Sequence, residues 1–349
     1  MKGICTILAV RGFLPKGVLT NEQLALELGW PPSEIFAKTG IAERHISSKS
    51  ECVSDLATGA GERLLGELNC DRDSIDFLIL CTQSPDHFLP TTACLVQARL
   101  GLNETCAAFD INQGCSGFIY SLAIAQGLIA GGLGRRGLVI TADTYTKFIH
   151  PQDRSVRTLF GDGAAATLVE ACDGSGLSAF VLGTDGRGAN NLIVPAGGTR
   201  LPHSQETSRV NIDAQGNTRS ADNLFMQGQE IFTFTLRRVP EIVAGVLAKA
   251  GLNMSDIDWF VFHQANRFML EHLRKKLGVP VEKMVYFHEK TGNTVSTTIP
   301  LTIEDANRRG LFKLGHRILL AGFGVGYSWG GCLLTLSTNP IPGLVRSMP

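Results

Sequence analysis

Three residues, far apart in the chain, point to one chemistry: Cys115, His263 and Asn293. Cys115 lies in the run AAFDINQGCSGFIYSLAIAQGLIAGG, residues 107–132. That run reads as a short strand over 107–110, a polar turn containing glycine, and a long apolar helix opening at or just after the cysteine. The first turn of a helix carries unpaired N–H groups and the positive end of the macrodipole, and both stabilise an anion. A thiolate is the reactive form of cysteine, and a helix N-terminus is one of the settings that lowers its pKa. Gly114, Ser116 and Gly117 keep the surroundings of the sulfur small. The helix behind is apolar on nearly every face, so a buried and rigid support is expected. Most cysteines are core residues. Of the nine here, Cys5, Cys81, Cys94, Cys106 and Cys332 lie in apolar runs and are assigned to the core.

An internal repeat brings the other two residues to the same place. AGERLLGELNCDRDSIDFLILCTQ (residues 60–83) matches EIVAGVLAKAGLNMSDIDWFVFHQ (residues 241–264). Each is an amphipathic helix, a Leu-Asn turn, then Ile-Asp and an apolar strand closed by a polar residue and Gln. Ile257-Asp258 follows Ile75-Asp76 by 182 positions, so His263 corresponds to Cys81. Further on, FDINQGC ending at Cys115 corresponds to FHEKTGN ending at Asn293, a shift of 178. Cys115 and Asn293 thus follow a glycine at equivalent strand-to-helix turns, and His263 closes a strand. Strand ends are where α/β proteins gather functional groups. A Cys, a His and an Asn in one region form a setting for covalent thiol catalysis. Taken singly, each has a plainer reading: a histidine is usually a satisfied surface or core residue, and an Asn after Gly usually caps a helix.

The elements that must position these residues form a duplicated α/β fold. Continuous apolar strands alternate with helices, which indicates mostly parallel, buried sheets. Two copies of about 170 residues divide the chain into residues 1–172, with the cysteine, and residues 173–349, with the His and Asn. Residues 194–223 are polar and turn-rich and read as a long surface loop beside a substrate entrance. MKGICTILAV at the start reads as a first strand; its apolar run is short for a signal peptide and has no cleavage pattern.

Composition narrows the function classes. The 349 residues are 44% hydrophobic and 18% charged, with formal net charge zero. This balance argues against nucleic acid or an anionic membrane as partner, and no run approaches the ~20 apolar residues of a membrane span. Nine cysteines without a CxxC pair point to reduced thiols in the cytoplasm. GFGVGYSWG (residues 322–330) lacks the helix and later acidic residue of a dinucleotide fingerprint. It reads as a tight hairpin whose N–H groups can hold an oxyanion.

Taken with KTGIAERHI (residues 38–46), DRSVRTLFGDGAAA (153–166), HQAN (263–266) and GNTVSTTIP (292–300), these motifs resemble the β-ketoacyl-acyl-carrier-protein synthase III family of the thiolase superfamily. The resemblance runs over essentially the whole chain. It implies the five-layered αβαβα thiolase fold with two mixed sheets, a homodimer, and decarboxylating Claisen condensation. Cys115, His263 and Asn293 fall on the family's catalytic triad, and the backbone of Cys115 and Val325 on its oxyanion hole. The implied substrates are an acyl-coenzyme A or acyl-carrier thioester and a malonyl thioester, with acyl carrier protein as partner and no permanently bound cofactor or metal.

The resemblance also assigns thioester and coenzyme A contacts to Lys38, Leu89, Arg154, Gly228, Asn266 and Arg267. Glu34 stands where many members carry an adenine-stacking Trp, and Lys38 where they carry Arg. Phe268 and Thr233 occupy two positions that are often basic. Leu89 stands for the Phe that often closes the acyl pocket, which implies room for a longer or specialised primer. The alternative activity for the same covalent intermediate is acyl transfer to a non-malonyl nucleophile.

Overall fold

The computed structural model describes residues 4–336. The described residues begin with β1 (Ile4–Phe13) and an antiparallel pair of β2 (Gly17–Thr20) and β3 (Glu43–Ile46), between which lie α1 (Asn21–Leu28) and α2 (Pro32–Thr39). Then come α3 (Val53–Leu68), β4 (Phe77–Cys81), α4 (Thr92–Arg99), β5 (Ala107–Ile111), α5 (Gly117–Ala130), β6 (Arg136–Asp143), the one-turn α6 (Arg154–Arg157) and β7 (Gly163–Cys172). The sheet order is β1-β7-β6-β4-β5: β4 is parallel to β5 and β6, while β7 is antiparallel to β6 and β1. All five residues of β4 are buried, which is why FLILC is apolar without alternation.

The second half repeats this plan. It begins with β8 (Leu177–Thr184). The polar loop of residues 194–223 is flanked and crossed by two-residue strands, β9 (Leu192–Ile193), β10 (Asn211–Ile212), β11 (Thr218–Arg219) and β12 (Phe225–Met226). Arg219 fastens that loop, pairing with the buried Asp153 at 2.6 Å and with Asp213. There follow α7 (Gly228–Ala250), β13 (Trp259–Phe262), α8 (Arg267–Leu277), α9 (Thr298–Arg308), β14 (Arg317–Gly324) and β15 (Ser328–Thr335). The second sheet has the order β13-β14-β15-β8, with β13 parallel to β14 and the other pairs antiparallel.

The repeat holds down to single hydrogen bonds. Asp76 and Asp258 each precede the first parallel strand of their copy. Each gives its N–H to the carbonyl of Arg136 or Arg317, and takes that residue's N–H on its carboxylate at 2.9 and 2.8 Å. The apolar contacts define five layers. One cluster packs α3 and α4 on the outer face of the first sheet, one packs α7 and α8 on the outer face of the second, and the central one buries α5 and α9 between both sheets.

Two expectations need correction. Cys94 is exposed. It belongs to α4, where Thr92, Ala93 and Val96 face inward; the helical period turns position 94 outward, although the run itself is apolar. The stretch expected to match β5 in the second copy does not form a strand. Only a bridge from Met284 to Phe260 is made; FHEKTG folds into a turn instead, with Thr291 Oγ1 donating to the Phe287 carbonyl at 3.1 Å and the Gly292 N–H to the His288 carbonyl at 3.0 Å.

Candidate active site

Cys115 lies in the turn between β5 and α5, with Ser116 as the N-cap residue of α5. The Gly117 N–H closes that turn on the Gly114 carbonyl at 2.7 Å. The turn between β14 and β15 presses against the sulfur: a Cβ added at Gly324 would stand 2.8 Å from Cys115 Sγ. Ser116 Oγ and Ser328 Oγ, 2.7 Å apart, hold the two turns in register. The backbone N–H groups of Val325 and of Cys115 itself are directed at the thiol.

His263 follows β13, its own N–H bonded to the Ala321 carbonyl of β14 at 2.8 Å. The ring is buried, with Nδ1 2.7 Å from Thr298 Oγ1 and the edge of Phe323 against it at 5.6 Å between centroids. Asn293 is fixed by its backbone, giving its N–H to Leu159 at 2.8 Å and receiving the Gly161 N–H at 3.1 Å. Its Oδ1 accepts the Val295 N–H at 2.9 Å. This bond closes an Asx turn and is not a helix cap, since Thr294 holds the N-cap position of the following turn; it uses only the amide oxygen, and Nδ2 remains as a donor. Cys115, His263, Asn293 and Gly324 all line one cavity of about 380 Å³, whose other walls include Leu159, Leu192, Met226 and Phe232.

Burial governs the charges here. It pushes the Cys115 thiol up to about 12, against the opposing pull of the Val325 and Cys115 N–H groups. It pulls His263 down to about 3. The sequence expectation of a depressed thiol pKa is overturned: the helix N-terminus is present, yet a fully enclosed thiolate loses more hydration than those donors return. Burial therefore favours a neutral thiol beside a neutral imidazole. His263 and Asn293, two groups able to donate while neutral, thus share a cavity with a cysteine whose sulfur is met by backbone N–H groups, an arrangement that can stabilise charge developing on a carbonyl oxygen.

Residues 109–186 match the family model for 3-oxoacyl-[acyl-carrier-protein (ACP)] synthase III, and residues 247–336 the model for the C terminal of the same synthase. The β-ketoacyl-[acyl-carrier-protein] synthase III of Caldanaerobacter subterraneus is 40% identical over 95% of this chain and 97% of its own length. The chain belongs to the 3-oxoacyl-[acyl-carrier-protein] synthase III family. Synthase III 3 of Streptomyces coelicolor is 39% identical over 92% of this chain and 94% of its own length. A crystal structure of a 3-oxoacyl-(acyl-carrier-protein) synthase III superposes with TM-score 0.93 at 49% identity, covering 95% of this chain and 99% of that one. The fold is the duplicated thiolase fold, and the synthase is an acyltransferase of the condensing type.

The structure distributes the synthase's remaining candidate residues unevenly. Gly228 and Asn266 line the cavity with the triad, and Asn266 also caps α8 by accepting the Met269 N–H at 2.8 Å. Lys38 and Arg154 are on the surface. Lys38 Nζ sits 4.4 Å from the centre of the Trp30 ring, whose Nε1 donates to Glu34 at 3.0 Å. Arg154 donates to the Leu28 carbonyl at 2.6 Å. Arg267 begins α8, with its aliphatic stem against Gly40 at the end of α2. Leu89 is 83% exposed and is not among the residues lining the cavity, so within one chain it does not close an acyl pocket.

Two groups that sequence reading passed over support the triad. Thr298 holds the His263 ring, and its only sequence signal is the run STT after GNTV. Asp143 is buried at the end of β6 and accepts the Gln83 N–H and the Ser296 hydroxyl, each at 2.8 Å. It joins the strand end beside Cys115 to the turn that carries Asn293.

Proposed function

We propose that the chain loads an acyl group onto Cys115 from a coenzyme A or carrier-protein thioester and condenses it with a malonyl thioester. The observation that carries this reading is the convergence of Cys115, His263 and Asn293, from opposite halves of the chain, on one largely apolar cavity. In the first step the sulfur attacks the donor carbonyl. The oxyanion is held by the N–H groups of Cys115 and Val325, and the donor thiol leaves with the proton that Cys115 gives up. In the second step the malonyl thioester loses carbon dioxide. The electron pair of the broken C–C bond passes into an enolate, whose oxygen takes hydrogen bonds from His263 and from Asn293 Nδ2. The nucleophilic carbon attacks acyl-Cys115, the C–S bond breaks, and a 3-oxoacyl thioester departs while the thiol regains a proton. Neutral donors suffice for this step, in keeping with the lowered pKa of His263. No resident metal or cofactor takes part.

Gly228 and Asn266 are assigned to the thioester arm, and Lys38, Arg154 and Arg267 to the more distant part of the donor. A homodimer accounts for Phe88 and Leu89, which stand side by side at 85% and 83% exposure. In such a dimer Leu89 serves the acyl pocket of the other copy, with room for a longer or specialised primer. The halves divide at residues 172/173, and the free cysteines fit the cytoplasm. No helix among the described residues is long and apolar enough to cross a membrane.

Intact-protein mass spectrometry with acyl-coenzyme A donors of increasing length tests the reading. Wild type is expected to gain one acyl group and Cys115→Ala none. Discharge of the adduct by a non-malonyl nucleophile without carbon dioxide would favour the alternative transferase.

A further inference from the structure

One face of α7 forms part of the wall of the Cys115 cavity: Gly228, Gln229, Ile231, Phe232 and Thr235. The spacing is that of a helix stripe, and exposure falls along it, from the exposed Gly228 and Gln229 through half-buried Ile231 and Phe232 to fully buried Thr235. Seven helical residues advance about 10 Å, so Thr235 stands deep in the channel and Gly228 near its mouth. The stripe is apolar below Gln229 except for this hydroxyl.

That hydroxyl has no partner among the described residues. A helical Ser or Thr commonly returns its hydroxyl to the carbonyl four residues back, and Thr39, Ser121 and Thr302 do so here at 2.7–2.8 Å. Thr235 does not. Five buried threonine hydroxyls lack partners among the described residues, at 58, 141, 167, 235 and 294, and of these Thr235 alone lines the cavity holding Cys115. A buried hydroxyl left unpaired destabilises the site, a cost removed when a ligand in the channel supplies the missing bond.

We propose that Thr235 is a specificity residue whose hydroxyl hydrogen-bonds an amide of the thioester's arm. This rests on the reading that the cavity receives acyl thioesters. Coenzyme A and carrier-protein thioesters both carry secondary amides close to the sulfur, flanked by short methylene segments, which suits one polar point in an apolar channel. The same hydrogen-bonding chemistry is also available from a hydroxyl on the acyl chain.

The test measures kcat/KM for Cys115 acylation by intact mass, in wild type, Thr235→Val and Thr235→Ser. The donors are hexanoyl-coenzyme A, hexanoyl-N-acetylcysteamine and the amide-free S-ethyl hexanethioate, with S-ethyl 3-hydroxyhexanethioate as the acyl-side control. Thr235→Val keeps the shape and removes the orphaned group, so folding is retained. It is expected to lower acylation by the two amide-bearing donors about five- to tenfold, mainly through KM, with less than a twofold change for S-ethyl hexanethioate. Thr235→Ser is expected to restore the rate. An equal loss on every donor, or none on any, overturns the proposal. A loss confined to the 3-hydroxy donor overturns the assignment to the arm. Failure of wild type to be acylated by any thioester overturns the underlying reading instead.

Discussion

Asp143 Oδ2 accepts a hydrogen bond from Ser296 Oγ at 2.8 Å, across the boundary between the two halves of the chain. Asp143 Oδ1 takes the Gln83 N–H at the same distance. One buried carboxyl therefore ties the strand end beside Cys115 to the turn that presents Asn293. Burial raises its pKa to about 7, and Cys81, Cys115, Tyr145 and Asp162 are the titratable groups around it.

The sign of the resulting pH dependence is fixed. A carboxyl at 3.8 unfolded and about 7 folded binds more protons in the folded state between those values, so its contribution to stability is full below 3.8 and is lost as pH rises through 7. Asp143→Asn does not titrate. Its stability relative to wild type is expected to rise with pH between about 4 and 7 and then level off, as read by urea unfolding across that range. A pH-independent difference would show that the carboxyl is not raised.

The neutral thiol has its own signature. With Cys115 pushed up to about 12, its alkylation by iodoacetamide is expected to be slow at pH 7 and still rising at pH 10. A plateau at pH 6–7 would mean a thiolate paired with His263 in the resting enzyme.

Thr298 is expected to set the tautomer of His263. Thr298 Oγ1 stands 2.7 Å from Nδ1 and 3.1 Å from the Val295 carbonyl; turned to Nδ1, its proton leaves the ring N–H at Nε2, where an enolate oxygen can accept a hydrogen bond from it. Thr298→Val is expected to slow condensation about tenfold while Cys115 acylation holds within twofold. His263→Ala or Asn293→Ala, each removing a donor, is expected to slow condensation about 10²–10³-fold. Equal losses in both steps for Thr298→Val would point to general misfolding of the site.

Gly324→Ala places a methyl group 2.8 Å from the Cys115 sulfur. Displacement of the nucleophile by a fraction of an ångström is expected to slow acylation about a hundredfold, read as the rate of adduct formation by mass. Retained acylation would mean that the β14–β15 turn yields freely.

That Cys115, His263 and Asn293 meet at one cavity was legible because the duplication is written in the residues. Ile75-Asp76 and Ile257-Asp258 mark equivalent strands, and the glycines before Cys115 and Asn293 mark equivalent turns. What escaped was whatever depends on burial and on facing partners. The thiol shift of Cys115 comes from enclosure by residues up to 210 positions away, with the Val325 N–H opposing it. Cys94 lies in an apolar run but turns outward on a helix that shows one face to the core. Asp143 carries no motif, and Thr298 lies within GNTVSTTIP with nothing in the sequence to single it out; their importance is in the distances to Ser296 and His263. Leu89 needed the surface of a single chain to be seen at all.

The measurement that bears most directly on the account uses malonyl thioester labelled in its free carboxyl group, added to enzyme whose Cys115 has been acylated. One labelled carbon dioxide is expected per acyl group discharged, with one 3-oxoacyl thioester formed, and neither with Cys115→Ala. Discharge of the acyl group without labelled carbon dioxide would contradict the condensation.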